Sequence, residues 1–192
     1  MSWGLKEIQV QDYAFIENAF SDDEIKQIFD LAENLDKQNG TVKELKENQT
    51  LEQVRKSKVS WIKADENSEW IYRRLTDQIN SINSKFFGFD LEEIEDIQFT
   101  LYEEGDFYDK HRDHFFSSFK NPRKLSFVVQ LTDPQTYEGG RTLLWIDKDA
   151  IALPNKKATI SFFPSYILHE VTKITKGTRH SLVGWISGKP FR

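Results

Sequence analysis

Cysteine is absent from the 192-residue sequence, which excludes disulfides, thiolate metal sites and cysteine nucleophiles. Any metal must then be held by imidazole and carboxylate, the donors of harder and more open coordination chemistry. Long apolar runs are missing too: no stretch approaches the roughly 20 residues that a membrane span needs. The opening MSWGLKEIQV has no basic segment followed by an apolar signal core. The expectation is a soluble chain, cytoplasmic or otherwise intracellular, with no membrane partner. A cationic surplus is lacking as well. The formal net charge of -5 disfavours a phosphate backbone as partner, because such binding rests on clustered Lys and Arg, so nucleic acid is not expected.

What is present is enough apolar material, 38% hydrophobic and 14% aromatic, to bury one substantial core, and no repeat or Pro/Gly-rich linker divides the chain. A single domain over 1–192 is expected, with 1–95 as a helical support region and 96–192 as a β core. After an extended start, Ser21 and Glu24 form a Ser-x-x-Glu capping pattern ahead of Ile25, Ile28, Phe29, Ala32 and Leu35. That spacing predicts an amphipathic helix over about 22–36. Ile71, Leu75, Ile79, Ile82 and Phe86 make a second helical stripe, capped by Asn67 or Ser68 and stopped at Gly88. The polar segment 37–58 between them reads as a surface excursion, with a lid over a site as the other reading.

From Ile97 the pattern changes to short aromatic and β-branched runs, IQFTLY, KLSFVVQL, RTLLWI, ATISFF, HEVTKI and SLVGWI, separated by turn clusters. Their number and spacing predict an antiparallel sandwich or barrel. Gly139 and Gly140 suit a turn with unusual backbone angles, and Thr142 enters the strand after it.

The stretch YEEGDFYDKHRDHF places His111 and Asp113 two residues apart in an extended segment, where side chains at that spacing share a face. His169 follows the strand ATISFFP and its turn. Two His and one carboxylate make a facial set that suits Fe(II) and leaves coordination positions open. His-x-Asp by itself is common by chance, and Arg179 adds to it: its rigid fork suits bidentate binding of a carboxylate. Ser181, on the same strand face, is a candidate second donor. Tyr108 is read either at the substrate side of the metal pocket or as interior packing, and Trp185 in the core or at the pocket floor. His114 and His180 sit at odd offsets, which turn them to the opposite face, and are read as structural or surface residues.

Taken together, Tyr102-x-x-Gly105-x-x-Tyr108-x-x-His111-x-Asp113, Gly139-Gly140-x-Thr142, Phe163-Pro164, His169, Gly177-x-Arg179 and Trp185 resemble the 2-oxoglutarate and Fe(II)-dependent dioxygenases, within them the prolyl 4-hydroxylase-like group. The resemblance covers residues 96–187, and Arg55-x-Ser57 with Trp61-Ile62 looks like the same group's N-terminal pattern. It implies an α+β fold with a mainly β core, a double-stranded β-helix (jelly roll, cupin-like) buttressed by N-terminal helices. It also implies metal ligands His111, Asp113 and His169, a bound 2-oxoglutarate contacted by Arg179, Tyr102, Gln130 and Thr142, and O2 as co-reactant. The implied reaction is hydroxylation of an unactivated carbon with release of succinate and CO2, on a prolyl residue in a protein or peptide or else on a free amino acid or small metabolite. Gln130 stands where some relatives carry tyrosine, and Arg179 where prolyl 4-hydroxylases acting on collagen-like chains often carry lysine. The charged segment 39–57 and the loop 114–123 are candidates for substrate contact.

Three rivals stay open at this point. A non-catalytic metal-binding jelly roll would keep the histidines without needing Arg179. A nucleic-acid demethylase would carry a second arginine where Trp185 stands. A zinc hydrolase would use the same three ligands.

Overall fold

Alternating burial along the central strands decides the layout. The computed structural model describes residues 10–41, 50–114 and 121–190. In the strand Arg123–Gln130, Leu125, Phe127 and Val129 join the largest apolar core, while Ser126, Val128 and Gln130 alternate onto the opposite face. The strand Arg179–Ser187 repeats this: Leu182 and Ile186 enter that core, whereas Arg179, Ser181, Val183 and Trp185 line a cavity on the other side. One face of the sheet therefore meets helices and the other encloses the site, a division set by the two-residue period of the pleat.

Two antiparallel sheets result. The larger runs in the order Ala14–Ile16, Ile160–Pro164, Arg123–Gln130, Arg179–Ser187, Ile97–Tyr102, Lys58–Ile62 and Gln38–Asn39, with Glu93–Ile94 paired to Arg179–Ser187. The smaller runs Asp149–Ala152, Thr142–Ile146, Leu168–Val171, Phe107–His111 and Arg55–Lys56. A two-stranded ribbon joins Glu138–Gly139 to Ile174–Lys176. From Ile97 onward the chain crosses repeatedly between the two larger sheets, which makes this a double-stranded β-helix. Gly139 and Gly140, read as turn residues, have φ of 82° and 58°. A Cβ on Gly139 would stand 2.0 Å from the Lys173 carbonyl oxygen.

The helices follow their sequence signals with two shifts. Ser21 Oγ accepts from the Glu24 amide and Glu24 Oε2 accepts from the Ser21 amide, closing the capping box of helix Asp22–Glu33. That helix stops short of residue 36 because Asn34 leaves the helical region. The second helix, Glu69–Ile82, buries Ile71, Leu75, Ile79 and Ile82, then runs into a π-helical turn, Asn83–Phe87, before left-handed Gly88. The wider turn advances the buried position by one residue, so Phe87 is buried and Phe86, expected on the stripe, is exposed. Ser68 is the N-cap rather than Asn67, yet its hydroxyl donates back to the Lys63 carbonyl instead of capping the helix.

Residues before 96 do more than supply helices, because Ala14–Ile16, Gln38–Asn39, Arg55–Lys56 and Lys58–Ile62 are strands of both sheets. The reading of 37–58 as a surface excursion fails at its end, where Arg55 and Ser57 are buried. Residues 42–49 of that segment and 115–120 of the loop 114–123 lie outside the described residues. Among the described residues, no helix is long and apolar enough to cross a membrane.

Candidate active site

His111 ends the strand Phe107–His111, and its antiparallel neighbour in register is His169 on Leu168–Val171. Asp113 lies just past the strand, where Ser165 O accepts from the amides of both Asp113 and His114. This fixed corner brings Asp113 Oδ2 to 3.4 Å from His169 Nε2 and Oδ1 to 3.8 Å from His111 Nε2. One ligand atom from each residue falls within 4.8 Å of the others. The sequence spacing anticipated a shared strand face, but the strand ends first and the loop anchored on Ser165 supplies the geometry.

Each imidazole is oriented from behind. His111 Nδ1 lies 2.7 Å from the Asp109 carbonyl and His169 Nδ1 lies 2.9 Å from the Ile167 carbonyl. A carbonyl only accepts, so the Nδ1–H tautomer is selected and the Nε2 lone pairs face the shared centre. Burial, and then the neighbouring His169, push the His111 pKa down to about 3, so this ring is neutral and able to ligate. For Asp113, burial opposes ionisation, but His169, His111, Arg123 and the Ser126 hydroxyl outweigh it and hold the carboxyl below its ordinary value. Ser126 Oγ donates to Asp113 Oδ2 at 2.7 Å and lies 2.9 Å from Ser165 Oγ. Sequence reasoning missed Ser126, whose only signal was its place among the inward positions of KLSFVVQL.

Beside this trio lies a cavity of about 190 Å³ whose walls include His111, Asp113, His169, Arg179, Tyr102 and Trp185. Arg179 is 1% exposed. Its Nε and Nη2 donate to Gln130 Oε1 at 3.1 and 3.0 Å, and Nη2 reaches Thr142 Oγ1 at 3.3 Å, while Nη1 is buried without a partner. Ser181 Oγ and Trp185 Nε1 are also buried without partners. An unpaired buried charge is expensive, and a cluster of unsatisfied donors around one cavity marks where an anionic ligand would be received.

Gln130 Oε1 accepts from Arg179 Nε and Nη2, so this residue holds the Arg179 fork. Thr142, Tyr102, Ser181, Tyr108 and Trp185 all reach the cavity wall. Burial raises the pKa of Tyr102, and pushes that of Tyr108 up to about 12, so both phenols remain protonated donors. Tyr108 stacks on His111 with ring centroids 3.5 Å apart, and Trp185 lies under the Arg123 guanidinium at 3.9 Å. His180, on the other face, packs against Phe29 and Phe99, and His114 Nδ1 lies 2.8 Å from the Arg123 carbonyl.

The donor set fits Fe(II), since two imidazole nitrogens and one carboxylate are the facial arrangement that leaves positions for further ligands. The orphaned Arg179 Nη1 and Ser181 Oγ fit the far carboxylate of a dicarboxylate such as 2-oxoglutarate.

Comparison with known proteins agrees. A PKHD-type hydroxylase of Prochlorococcus marinus is 32% identical over 93 residues, 48% of this chain and 42% of that protein. One from Gloeothece citriformis is 35% identical over 94 residues, 48% of this chain and 43% of that protein. The matched part thus spans well under half of those relatives' length. Among solved structures, a prolyl-4-hydroxylase of Pseudomonas putida superposes with a TM-score of 0.69 at 21% identity, covering 93% of this chain and 94% of that one. A prolyl hydroxylase of Trichoplax adhaerens, bound to a peptide fragment of hypoxia inducible factor, gives 0.72 at 18% identity, covering 91% and 83%. These likenesses show the shared fold. Residues 97–187, which carry His111, Asp113, His169 and Arg179, match the model of the 2OG-Fe(II) oxygenase superfamily.

Proposed function

We propose that the protein is an Fe(II)- and 2-oxoglutarate-dependent dioxygenase that hydroxylates an unactivated carbon, with a prolyl residue of a protein or peptide as its substrate. The observation that carries this reading is the proximity, in one cavity, of the His111, Asp113 and His169 donors to a buried Arg179 whose Nη1 has no partner. A structural metal site, or a zinc hydrolase, would leave that buried guanidinium unexplained. The prolyl assignment is supported by the hydroxylase names of the relatives and of the structural neighbours.

In this role His111, Asp113 and His169 hold Fe(II), and Arg179 holds the distal carboxylate of 2-oxoglutarate, with Ser181 and Tyr102 as further hydroxyl donors. When bound, the metal and cosubstrate supply, with O2, the oxidation that converts a C–H to a C–OH while 2-oxoglutarate becomes succinate and CO2. The chain's own contribution is positional. The Asp109 and Ile167 carbonyls fix the imidazole tautomers, Ser126 fixes the carboxylate, and Gln130 and Thr142 aim the guanidinium. Phe163, Val171 and Val183 supply apolar wall that limits water around the reacting groups.

The test is anaerobic addition of Fe(II) and 2-oxoglutarate to the purified protein. A weak visible charge-transfer band is expected, and succinate should form when air is admitted. Metal-loaded protein with neither band nor succinate would refute the dioxygenase reading.

A further inference from the structure

A second guanidinium faces the same cavity. Arg55 is 6% exposed and lines the cavity with His111, Asp113 and Arg179. Its Nε donates to Ser57 Oγ at 2.9 Å and its Nη1 to the Thr41 carbonyl at 3.0 Å, while Nη2 is buried with no partner. The arrangement parallels Arg179: neutral acceptors of the chain hold part of the fork, and one nitrogen is left for the cavity. The guanidinium also lies 4.5 Å from the centroid of Tyr108, the ring stacked on His111. The backbone makes room for it at Gly40, where a Cβ would fall 2.4 Å from Arg55 Nε and from Ser57 Oγ.

Charge around the cavity is one-sided. Four of its lining residues are Arg55, Arg112, Arg123 and Arg179, against the single carboxylate of Asp113. Arg123 is paired with Glu95. Among the described residues, no carboxylate forms an ion pair with Arg55, Arg112 or Arg179. A divalent metal on two neutral histidines and Asp113 leaves one positive charge, and with Arg179 it balances a dianionic cosubstrate. Arg55 and exposed Arg112 then remain uncompensated, in a protein whose net charge is -5. A guanidinium stays charged when buried and matches carboxylate geometry, so this surplus selects for negative charge on the other ligand of the cavity.

We propose that Arg55 anchors a carboxylate of the primary substrate, with Arg112 reinforcing the field at its side, so that the enzyme prefers an anionic substrate to its neutral counterpart. This rests on the dioxygenase reading for the word substrate, but the anion preference is a property of the cavity that binding measures without turnover. The carboxylate has two sources, that of a free amino acid or that of an acidic residue beside the target in a peptide.

The experiment titrates protein loaded anaerobically with Fe(II) and 2-oxoglutarate, or with Fe(II) alone if the cosubstrate does not bind. Two matched ligand pairs are compared by calorimetry: N-acetylproline against N-acetylprolinamide, and acetyl-Ala-Pro-Glu-amide against acetyl-Ala-Pro-Gln-amide. In the wild type the anionic member of one pair should bind about tenfold or more tightly, as for a charge-assisted contact, and added salt should narrow the gap. The first pair responding identifies the amino-acid carboxylate, and the second identifies the acidic side chain. Arg55→Gln should abolish the preference while the chelate band, or Fe(II) affinity, is retained, and Arg55→Lys should keep part of it. Equal affinities in both wild-type pairs, or a preference that survives Arg55→Gln, would overturn the proposal. Loss of the band with a persisting anion preference would instead refute the dioxygenase reading and leave this one standing.

Discussion

His111 and His169 face each other across an antiparallel strand pair, with ring centroids 4.1 Å apart and each Nδ1 turned to a carbonyl two residues before it. Their Nε2 atoms are thereby committed to the space that Asp113 shares. Removing Asp113 leaves two neutral donors with no charge to hold a divalent ion. Asp113→Ala should abolish stoichiometric Fe(II) binding in metal-content assays and, with it, turnover. Undiminished binding would remove Asp113 from the ligand set.

Ser126 supports the same carboxylate through its 2.7 Å bond. Outer partners of metal ligands are typically worth about 10–100-fold in metal affinity. Ser126→Ala should weaken Fe(II) binding within that range without changing the melting temperature of the metal-free protein by more than a few degrees. A titration identical to wild type would make this hydroxyl incidental.

Arg179 and Gln130 make a graded pair. Arg179→Gln should cost on the order of 2 kcal/mol or more in 2-oxoglutarate binding, as for a lost charge-assisted hydrogen bond, while Fe(II) binding survives. Gln130→Leu keeps the charge and loses only the acceptor that aims it, so a smaller loss is expected. Titration of the chelate band separates the two. Equal losses would mean that Gln130 contacts the cosubstrate directly.

Gly184 sits under Phe127, and a Cβ there would lie 2.4 Å from the ring. Gly184→Ala therefore overpacks the layer between the larger sheet and the helices, at a cost of about 1–3 kcal/mol. Denaturant unfolding should show this as a lower midpoint with an unchanged slope. An unshifted midpoint would mean that Phe127 can move aside freely.

His180 supplies a pH dependence. Burial, and then Lys37, lower its pKa below the ordinary 6.5. The unfolded chain binds this proton more readily than the folded one. Its contribution is fully present above the ordinary histidine pKa and is lost as pH falls from there toward the folded value. His180→Phe should flatten that limb of the stability curve, read as melting temperature against pH in the metal-free protein. An unchanged acid limb would assign the loss to other groups.

Much of this was legible in the sequence. The Ser21 and Glu24 capping box, the helical stripes, the strand pattern after Ile97 and the spacing of His111, Asp113, His169 and Arg179 are local or ordered signals, and local chemistry fixes their meaning. Side-chain alternation also placed Ser181 on the same face as Arg179, whereas Trp185 was left between core and pocket floor. The tertiary structure alone decided the rest. Gln130 was assigned to a ligand because nothing local says that its partner is Arg179, 49 residues away. Phe86 and Phe87 exchanged roles through one π-turn that no periodicity foretells. Arg55 stood in a motif without an assigned role and Ser126 carried no signal of its own until folding brought Arg55 opposite Tyr108 and set Ser126 against Asp113. Sequence determines which groups exist and which way each faces along its own strand. Which distant group meets them, and which donors are left unpaired in the cavity, depends on pairing between sheets, and that is a property of the folded chain.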